Sequence, residues 1–597
     1  MQGGLRTTTS VTNQIKGGWR NFGVGRRRRR RWSKSSLQWR DLHNLQRPLA
    51  GYGSFYRRTT NTAAAITTTS SASSAQHDAG GKRYKINFQD GCEAYRDLST
   101  MALVRAYIVF KVCGIQWVVK NSEFLLKTSL RIFGSKIVSF LLRPTLFGHF
   151  CGGEDLVTIK PTVDRLKRSN IGGILDFAAE ADVEAEEPLS SSSVDTPTTI
   201  LEGNALARQY SYQTERQCDA NKKIFETAIK AVHGVTPGGF AAIKVTALGN
   251  PLFLERWSES LREMHRLFSL MDKDQDGNVT LEEFKSAWGM LFMECDQKFV
   301  EQQFELFDRD NTGRIDPVAW ATTLDPQTMR KLASFCREEG PFSAAVLNEE
   351  EERLLDSMRM RLSDLVVLAD SLDVRLMIDA EHTYFQPAID NLVLGVQREY
   401  NLSTDRVYQT IQCYLKDARE RNQMFMQQAE DEGWVYAVKL VRGAYMYQER
   451  ARAAARNEPS PIHDTIEDTH RCYEEVMKDV IFRSRVQKKL EKPNLVVATH
   501  NQRSVECAID LIDRAGFKPE ESGVSFGQLL GMADHLTYTL GAHRYNAYKY
   551  IPYGPILECL PYLIRRAQEN SDLMGSVGYE MKMLVSEITR RLFYDRR

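Results

Sequence analysis

Three short apolar runs decide the fold: VRLMIDA (374–380), VYQTIQCY (407–414) and VYAVKLV (435–441). Each is rich in β-branched and aromatic residues and is nearly continuous in apolar character, which is typical of a parallel strand buried on both faces. A longer stretch with helical spacing separates each run from the next. The pattern therefore predicts strands that alternate with helices.

The same alternation continues on both sides of these runs. Five more runs have the same character: Gly173–Phe177, Phe240–Thr246, Asn494–Thr499, Val524–Gln528 and Ala547–Ile551. Eight such strands predict an α/β protein built on a (β/α)8 barrel of the TIM type. A doubly wound open sheet is the alternative, but no GxGxxG motif follows any of the runs.

Composition limits the class of protein. The 597 residues include 79 Lys and Arg against 77 Asp and Glu, so the chain is not basic throughout, and a nucleic-acid function would need a local patch. No uncharged apolar run of about 20 residues is present, which argues against a spanning helix. Ten cysteines without a CxxC pair favour a reducing compartment.

Before the barrel, the charge is strongly biased. Residues 1–40 contain no Asp or Glu, and residues 26–31 are all arginine. We predict a mitochondrial transit peptide and disordered linker over residues 1–80; a nuclear-type basic cluster and a nucleic-acid arm are the alternatives. Residues 81–170 should form a helical arm. Within it, residues 101–147 carry seven basic residues and only one acid, Glu123, so this stretch either caps a core or lies on an anionic membrane.

The rest of the chain is expected to form an interrupted barrel. Residues 171–251 would supply its first part and would include a disordered acidic loop at 182–203. Residues 348–597 would supply the remainder of the barrel and the C-terminal helices. Residues 252–347 would form a helical insertion.

That insertion contains a calcium-loop motif, DKDQDGNVTLEE (272–283). Oxygen ligands are expected from Asp272, Asp274, Asp276, the carbonyl of Asn278 and bidentate Glu283, with Gly277 at the sharp turn and Thr280 at position 9. A second loop starts at Asp308 but has Ala319 at position 12 and Arg314 inside the loop. We therefore predict an EF-hand-like pair that binds one calcium ion.

Polar side chains follow nearly every predicted strand. They are Asp176, Lys244, Asp379, Glu381, Gln412, Lys439, Arg442, His500, Asn501 and Tyr550. In a (β/α)8 barrel these ends meet at one mouth, where the chemistry takes place. The helix YLIRRAQE (562–569) adds Arg565 and Arg566, whose guanidinium groups suit a carboxylate, and Glu569 is spaced to orient them. A surface ion-pair cluster is the alternative reading of that helix.

Several motifs resemble the proline dehydrogenase family, in particular its animal mitochondrial form. They are MIDAEHTYFQPAI (377–389), KLVRGAY (439–445), ATHN (498–501), GQLLGM (527–532) and YLIRRAQEN (562–570). The resemblance implies oxidation of L-proline to Δ1-pyrroline-5-carboxylate on noncovalent FAD, with electrons passed to a membrane quinone. It also implies peripheral attachment to the matrix side of the inner mitochondrial membrane.

The resemblance also implies roles for individual residues. Lys244, Arg565 and Arg566 match positions that hold the substrate carboxylate, with Asp379 and Glu569 positioning these cations. Leu529, Tyr550 and Tyr562 match residues that enclose the proline ring. Flavin contacts are implied for Ala380, Gln412, Lys439, Val441, Gly443 and His500. Lys439 stands where some family members carry Arg, and Asp176 matches only a strand-end position.

Two other functions remain open at this point. A hydroxyproline dehydrogenase belongs to the same class, and Tyr550 argues against it because a phenol over the ring leaves little room for a hydroxyl group. A calcium-dependent binding protein with an inactive barrel would lack the flavin that the first two require.

Overall fold

The computed structural model describes residues 76–77, 83–84, 86–177, 215–236, 238–309, 311–323, 325–486, 492–572 and 574–593. Nearly all of the predicted transit peptide and linker, and all of the predicted loop at 182–203, lie outside these ranges.

Eight parallel strands form a closed barrel, and each pairs with its neighbour in sequence. They are β1 (Ile171–Phe177), β2 (Phe240–Ile243), β3 (Arg375–Ile378), β4 (Val407–Gln412), β5 (Ala437–Val441), β6 (Asn494–Ala498), β7 (Val524–Leu529) and β8 (Asn546–Tyr553). The barrel closes where β8 pairs with β1, from Ala547 opposite Ile171 to Tyr553 opposite Phe177. The predicted barrel is thus confirmed, and the open-sheet alternative is wrong.

Three predicted strands extended at least two residues too far at their carboxyl ends, and the predicted end of β6 was one residue too late. β2 ends at Ile243, because the chain turns into a 3-10 helix at Val245–Ala247. β3 ends at Ile378 and β4 at Gln412. Beyond β3 and β4 the backbone still makes single hydrogen bonds to the neighbouring strand, from the Asp379 amide to the Ile243 carbonyl and from the Cys413 amide to the Val441 carbonyl. The residues after the strands therefore lie in loops at the mouth.

Helices surround the barrel and precede it. Before β1 they are α1 (Gly91–Ala94), α2 (Thr100–Cys113), α3 (Gln116–Lys120), α4 (Ser122–Leu142), α5 (Gly148–Phe150) and α6 (Leu156–Arg168). Between β1 and β3 they are α7 (Glu215–Val235), α8 (Pro251–Met271), α9 (Leu281–Leu291), α10 (Gln297–Phe307), α11 (Pro317–Thr323), α12 (Pro326–Ala333), α13 (Pro341–Ala345) and α14 (Glu349–Ser371). After β3 they are α15 (Gln386–Tyr400), α16 (Ala418–Glu432), α17 (Met446–Arg456), α18 (Ile466–Val486), α19 (Gln502–Arg514), α20 (Asp534–Ala542), α21 (Leu560–Asp572) and α22 (Met574–Phe593).

Aromatic side chains fill the inside of the barrel. The Phe240 ring meets the rings of Tyr408 and Tyr548 edge-on, at centroid distances of 5.3 Å and 5.1 Å. The Arg375 guanidinium lies 4.0 Å from the centroid of the Phe240 ring. These contacts close the barrel interior, as side-chain layers do in other barrels of this type.

Helices α8–α13 lie between β2 and β3 in the chain and have an aromatic core of their own. Two helix-loop-helix segments are joined by a short antiparallel pair, in which Val279 lies opposite Ile315. Phe284 and Trp320 are buried among the other rings of this core. Helix α8 anchors the unit on α15, where the Ala388 amide donates to Ser258 Oγ at 3.1 Å.

The N-terminal helices pack on the barrel to different extents. Helix α2 buries Leu103, Val109 and Phe110 and packs against α22. Helix α4 is mostly exposed, with Val138 its one fully buried residue. Across the ranges given above, no helix combines the length and the apolar character needed to cross a bilayer.

Candidate active site

Asp379 joins two lysines at the mouth of the barrel. Its Oδ2 accepts from Lys244 Nζ at 3.1 Å, and its Oδ1 accepts from Lys439 Nζ at 2.6 Å. Asp379 follows β3, Lys244 follows β2 and Lys439 lies within β5. Closure of the sheet therefore brings the three side chains together. Burial alone would raise the pKa of Asp379, but the two ammonium groups lower it well below its usual range. The carboxylate is therefore ionised and held between two cations.

Glu381 forms a second buried acidic position beside this group. Its carboxylate accepts from the hydroxyl of Thr246 at 2.6 Å and from the Thr246 amide at 3.2 Å. Burial raises its pKa, although Lys244 acts in the opposite direction. The backbone carbonyl of Glu381 accepts from Gln412 Nε2 at 2.7 Å, which fixes the Gln412 side chain at the end of β4.

His500 follows β6 and is held as a neutral imidazole. Burial and the charges of Lys549, Arg566 and Arg442 lower its pKa to about 3. Its Nε2 accepts from the Leu529 amide at 3.0 Å. Since a neutral ring has one donor and one acceptor nitrogen, the proton lies on Nδ1, which is then available to a ligand at the mouth.

Helix α21 carries the two arginines. Arg566 donates to Glu569 as the spacing predicted, and its guanidinium lies 5.0 Å from the centroid of the Tyr562 ring. The Arg566 Nε and the Tyr562 hydroxyl are both buried without a hydrogen-bond partner. Arg565 lies close enough to Tyr445 for its charge to act on that phenol. Both guanidinium groups therefore lie near the mouth, and one retains an unused buried donor.

Leu529 and Tyr550 are register partners on the neighbouring strands β7 and β8. The Tyr550 side chain packs against the apolar cluster inside the barrel, whereas Leu529 packs against the cluster that contains Tyr562. Asp176, near the end of β1, is buried and acts electrostatically on Tyr553 and Tyr562.

The remaining predicted residues lie along the same rim. Ala380 lies two residues after β3 and Val441 is the last residue of β5, and both are partly buried. Gly443 has φ of +139°, and a Cβ there would meet the Tyr414 ring at 2.4 Å, so only glycine fits this position. Arg442 is held by hydrogen bonds that it donates to Thr499 Oγ1 at 2.7 Å and to Ser504 Oγ at 2.9 Å. Asn501 caps α19.

Tyr445 was missed by the sequence analysis as a site residue. It is buried, and its ring centroid lies 4.1 Å from that of His382. Burial raises its pKa to about 12, and the charges of Lys244, Glu381, Asp379 and Arg565 act on it as well. The sequence offered one signal for this residue. Tyr445 is the last residue of KLVRGAY and comes four residues after the end of β5.

Fold and site together define a (β/α)8-barrel enzyme whose mouth holds a row of cations. Comparison with known proteins identifies its family. The proline dehydrogenase family model matches residues 159–578. The mitochondrial proline dehydrogenase 1 of Homo sapiens is 34% identical over 547 residues, 85% of this chain and 90% of that protein. Its Caenorhabditis elegans counterpart is 33% identical over 550 residues, 85% and 89% of the two chains.

The chain belongs to the proline dehydrogenase family and is an oxidoreductase. A hydroxyproline dehydrogenase of Xenopus laevis is also similar, at 29% identity over 513 residues, 86% of this chain and 91% of that protein. Among solved structures, a proline utilization A protein of Bdellovibrio bacteriovorus aligns with a TM-score of 0.48 at 14% identity. The alignment covers 85% of this chain and 39% of that one.

The neutral state of His500 predicts a dependence of stability on pH. An unfolded histidine binds its proton near pH 6.5, but folded His500 does so only at about pH 3, so the unfolded chain binds more protons in between. Stability should therefore fall as pH decreases through that window. We expect the urea midpoint of His500→Gln to fall less than that of wild type between about pH 7 and about pH 5.

The matched control is His233→Gln, because His233 is exposed. The urea midpoint of this control should change with pH as that of wild type does. If the urea midpoint of His500→Gln fell as steeply with decreasing pH as that of wild type, His500 would not be a buried neutral imidazole.

Proposed function

We propose that this chain oxidises L-proline to Δ1-pyrroline-5-carboxylate with noncovalent FAD and passes the electrons to a membrane quinone, as the first step of proline catabolism. The observation that carries the proposal is the Asp379 carboxylate between Lys244 and Lys439, with Arg565 nearby. One lysine can then face a substrate carboxylate while the other faces the cofactor.

Lys244, Arg565 and Arg566 would hold the carboxylate of proline. Guanidinium groups bind carboxylates through paired hydrogen bonds, and Arg566 Nε is a buried donor without a partner. Asp379 and Glu569 would position these cations, and Leu529, Tyr550 and Tyr562 would enclose the ring. Together these residues would hold the proline ring in a single orientation and keep water away from the ring carbon next to the nitrogen. Asp176 has no assigned role.

The donors at the mouth fit a flavin. Gln412 ends β4, Lys439 lies within β5 and His500 follows β6, and these three strands are adjacent in the barrel. The side chains offer an amide, an ammonium and an imidazole N–H to the acceptor atoms of an isoalloxazine ring. Ala380, Val441 and Gly443 would supply the backbone beside it. FAD, when bound, supplies the acceptor for the hydride that leaves the ring carbon. Lys439, as a buried cation, would stabilise negative charge that develops at the cofactor.

A visible spectrum tests the proposal. The purified full chain should show an oxidised flavin band, and L-proline added without oxygen should bleach it. A colourless protein that binds no FAD would favour the alternative of an inactive barrel.

A second candidate is hydroxyproline oxidation, because hydroxyproline dehydrogenases are among the similar proteins. The phenol of Tyr550 would crowd a ring hydroxyl, so trans-4-hydroxy-L-proline should bleach the flavin much less than proline does. Equal bleaching by both substrates would contradict the role given to Tyr550.

Arg566→Met should raise the KM for proline strongly and leave FAD bound. A hydrogen bond to a charged group contributes about 1.5–3 kcal/mol, so we expect an increase of roughly 10- to 150-fold. Steady-state kinetics with a soluble dye as acceptor gives KM, and the flavin absorbance gives FAD content.

The control for this substitution is Arg353→Met, since Arg353 is 72% exposed on α14. It should leave KM unchanged. Loss of FAD from Arg566→Met, with normal KM in the remaining enzyme, would show that Arg566 serves the cofactor instead.

We further propose that the α8–α13 unit is an EF-hand-like pair that binds one calcium ion. Carboxylate oxygens of Asp272, Asp274 and Asp276 lie within 4.8 Å of one another, and Asp272 Oδ1 is buried without a hydrogen-bond partner. Asn278 would add its carbonyl. Glu283, whose oxygens accept from the Lys273 and Thr280 amides, would turn to the ion. The second loop offers Ala319 where an acid is needed.

Calorimetric titration should therefore give one calcium ion per chain, with a Kd of about 10⁻⁷–10⁻⁵ M. Glu283→Gln should weaken binding severely because the bidentate carboxylate is lost. Glu282→Gln is the matched control, since its side chain is 87% exposed, and it should bind like wild type. Two ions per chain would contradict the assignment of the second loop.

Helix α8 would transmit an effect of calcium binding to the active site. Arg262 of that helix donates to the carbonyl of Thr383 at 2.9 Å, two residues after Glu381. We therefore expect the KM for proline to differ between calcium-loaded and chelated enzyme. Identical kinetics, with calcium binding confirmed, would leave the ion a structural role.

The proposal also covers the location of the protein in the cell and the boundaries of its domains. The two proline dehydrogenases described above are named mitochondrial, and we propose a place on the matrix side of the inner membrane after removal of an N-terminal transit peptide. The boundaries at residues 80, 170, 251 and 347 stay predictions.

A further inference from the structure

A polar cavity lies between the N-terminal helices and the outer side of the barrel. Its charged lining residues come from α2, α6, α20, β8 and α22 and are Arg105, Arg165, Asp534, Lys549 and Glu580. Lys549 points outward from β8, because its neighbours Tyr548 and Tyr550 pack inside the barrel and side chains alternate along a strand. No residue given a role at the mouth is among those that line this cavity. The cavity is therefore separate from the candidate active site.

Four polar atoms at this cavity are buried without a hydrogen-bond partner among the described residues. They are Arg105 Nε, Arg165 Nε, the Tyr95 hydroxyl oxygen and His149 Nε2. Tyr95 is 0% exposed and His149 is 6% exposed, so water outside the cavity does not solvate their side chains. An unpaired buried polar atom is destabilising, and folded proteins contain few of them. A ligand in the cavity would give these atoms partners.

The charged side chains around the cavity leave one positive charge unbalanced, since three are cations and two are carboxylates. Asp534 balances Lys549, whose Nζ lies 2.7 Å from its Oδ1. Burial would raise the pKa of Asp534, but Lys549 lowers it, so this carboxylate is ionised. Glu580 accepts from the Asp534 amide at 3.2 Å. Neither Arg105 nor Arg165 forms an ion pair with a residue that the structure describes.

The two arginines lie close enough for their charges to act on each other. Burial and the charge of Arg165 lower the pKa of Arg105, whereas Asp534 raises it. Arg165 also lies against the Tyr538 hydroxyl. His149 adds no charge at neutral pH, because burial lowers its pKa to about 4. Two largely buried guanidinium groups that repel each other would be stabilised by an anion bound to both.

We propose that this cavity binds a small monovalent carboxylate, whose oxygens accept from Arg105 Nε, Arg165 Nε and the Tyr95 hydroxyl. Its single negative charge neutralises the unbalanced positive charge. The planar guanidinium group suits a carboxylate, which offers two oxygens to several donors. A phosphate group carries more than one negative charge at neutral pH, and the excess would lie beside the carboxylates of Asp534 and Glu580.

A carboxylate at this position would join the N-terminal helices to the barrel. Tyr95, Arg105 and Arg165 precede β1 in the chain, whereas Lys549 belongs to β8. Lys549 Nζ also donates to the carbonyl of Met532 at 2.7 Å, which ties the loop after β7 to the same site. Binding should therefore stabilise the packing of the helical arm on the barrel, whatever reaction the barrel catalyses.

Thermal unfolding of the full chain loaded with FAD tests the site, with sodium acetate as the probe. All proteins carry Arg566→Met, because acetate would also bind the arginines proposed to hold proline, and all are dialysed into chloride-free HEPES buffer. We expect the Tm of this parent to rise with acetate concentration as binding to a single site requires. Arg105→Met and Tyr95→Phe should each weaken acetate binding at least tenfold, because each removes a donor to a charged oxygen. Without acetate, the Tm of Tyr95→Phe should be no lower than that of the parent, since the lost hydroxyl has no partner.

Tyr436→Phe and Arg406→Met are the matched controls, because these two side chains are also buried but have partners. The Tyr436 hydroxyl donates to Asn422 Oδ1 at 3.0 Å, and Arg406 Nε donates to Asp370 Oδ1 at 2.8 Å. Each control should lower the Tm without acetate and keep the full rise of Tm with it. The response to acetate thus separates the site from a general loss of stability.

Four results would overturn the inference. The Tm of the parent could stay the same at all acetate concentrations. Arg105→Met and Tyr95→Phe could respond to acetate as the parent does, which would place the bound acetate elsewhere. Without acetate, Tyr95→Phe could lose as much stability as Tyr436→Phe, which would show that the Tyr95 hydroxyl has a partner. Sodium chloride could raise the Tm of the parent as much as acetate does, which would make the occupant a halide instead of a carboxylate.

Discussion

One carboxylate holds the mouth of this barrel together. Asp379 accepts hydrogen bonds from Lys244 and Lys439, two cations that would otherwise repel each other in a poorly solvated site. Burying a charge is costly unless it is paired, so each lysine depends on Asp379 and Asp379 depends on both. Its own amide donates to the Ile243 carbonyl at 2.9 Å, which ties the group to the sheet. The position of either cation is therefore a property of all three residues.

Around this group, the mouth is built from parts of the chain that are distant in sequence. The His500 ring is oriented by the Leu529 amide, and Gln412 by the carbonyl of Glu381. Helix α21 is held from outside by the N-terminal helices, which bury Val119 and Phe150 in the same cluster as Tyr562. The helical arm thus supports the arginine helix from behind, so the site is shaped by the arm as well as by the barrel.

The sequence predicted some of this arrangement well. Eight apolar runs predicted the barrel, because strands buried on both faces have a local signature. The calcium site, whose candidate ligands all lie within twelve residues, stays a prediction. The ends of β2, β3 and β4 were placed too late, since residues that favour strands, such as Val245 and Tyr414, follow β2 and β4, and the Asp379 amide still bonds to the neighbouring strand after β3. The contact of Lys439 with Asp379 and the burial of Tyr445 depend on how separate strands meet, and no local pattern encodes that.

Closure of the barrel also has a consequence for synthesis. Strand β1 pairs with β8, with Ile171 opposite Ala547, 376 residues later in the chain, and the described residues after β8 include two helices. Until β8 has left the ribosome, β1 and the growing end of the sheet both present unpaired edges, which are prone to association with other chains. The nascent protein must therefore keep an incomplete sheet from aggregating for most of its translation. A chain that ended before β8 would keep seven strands and two permanently open edges.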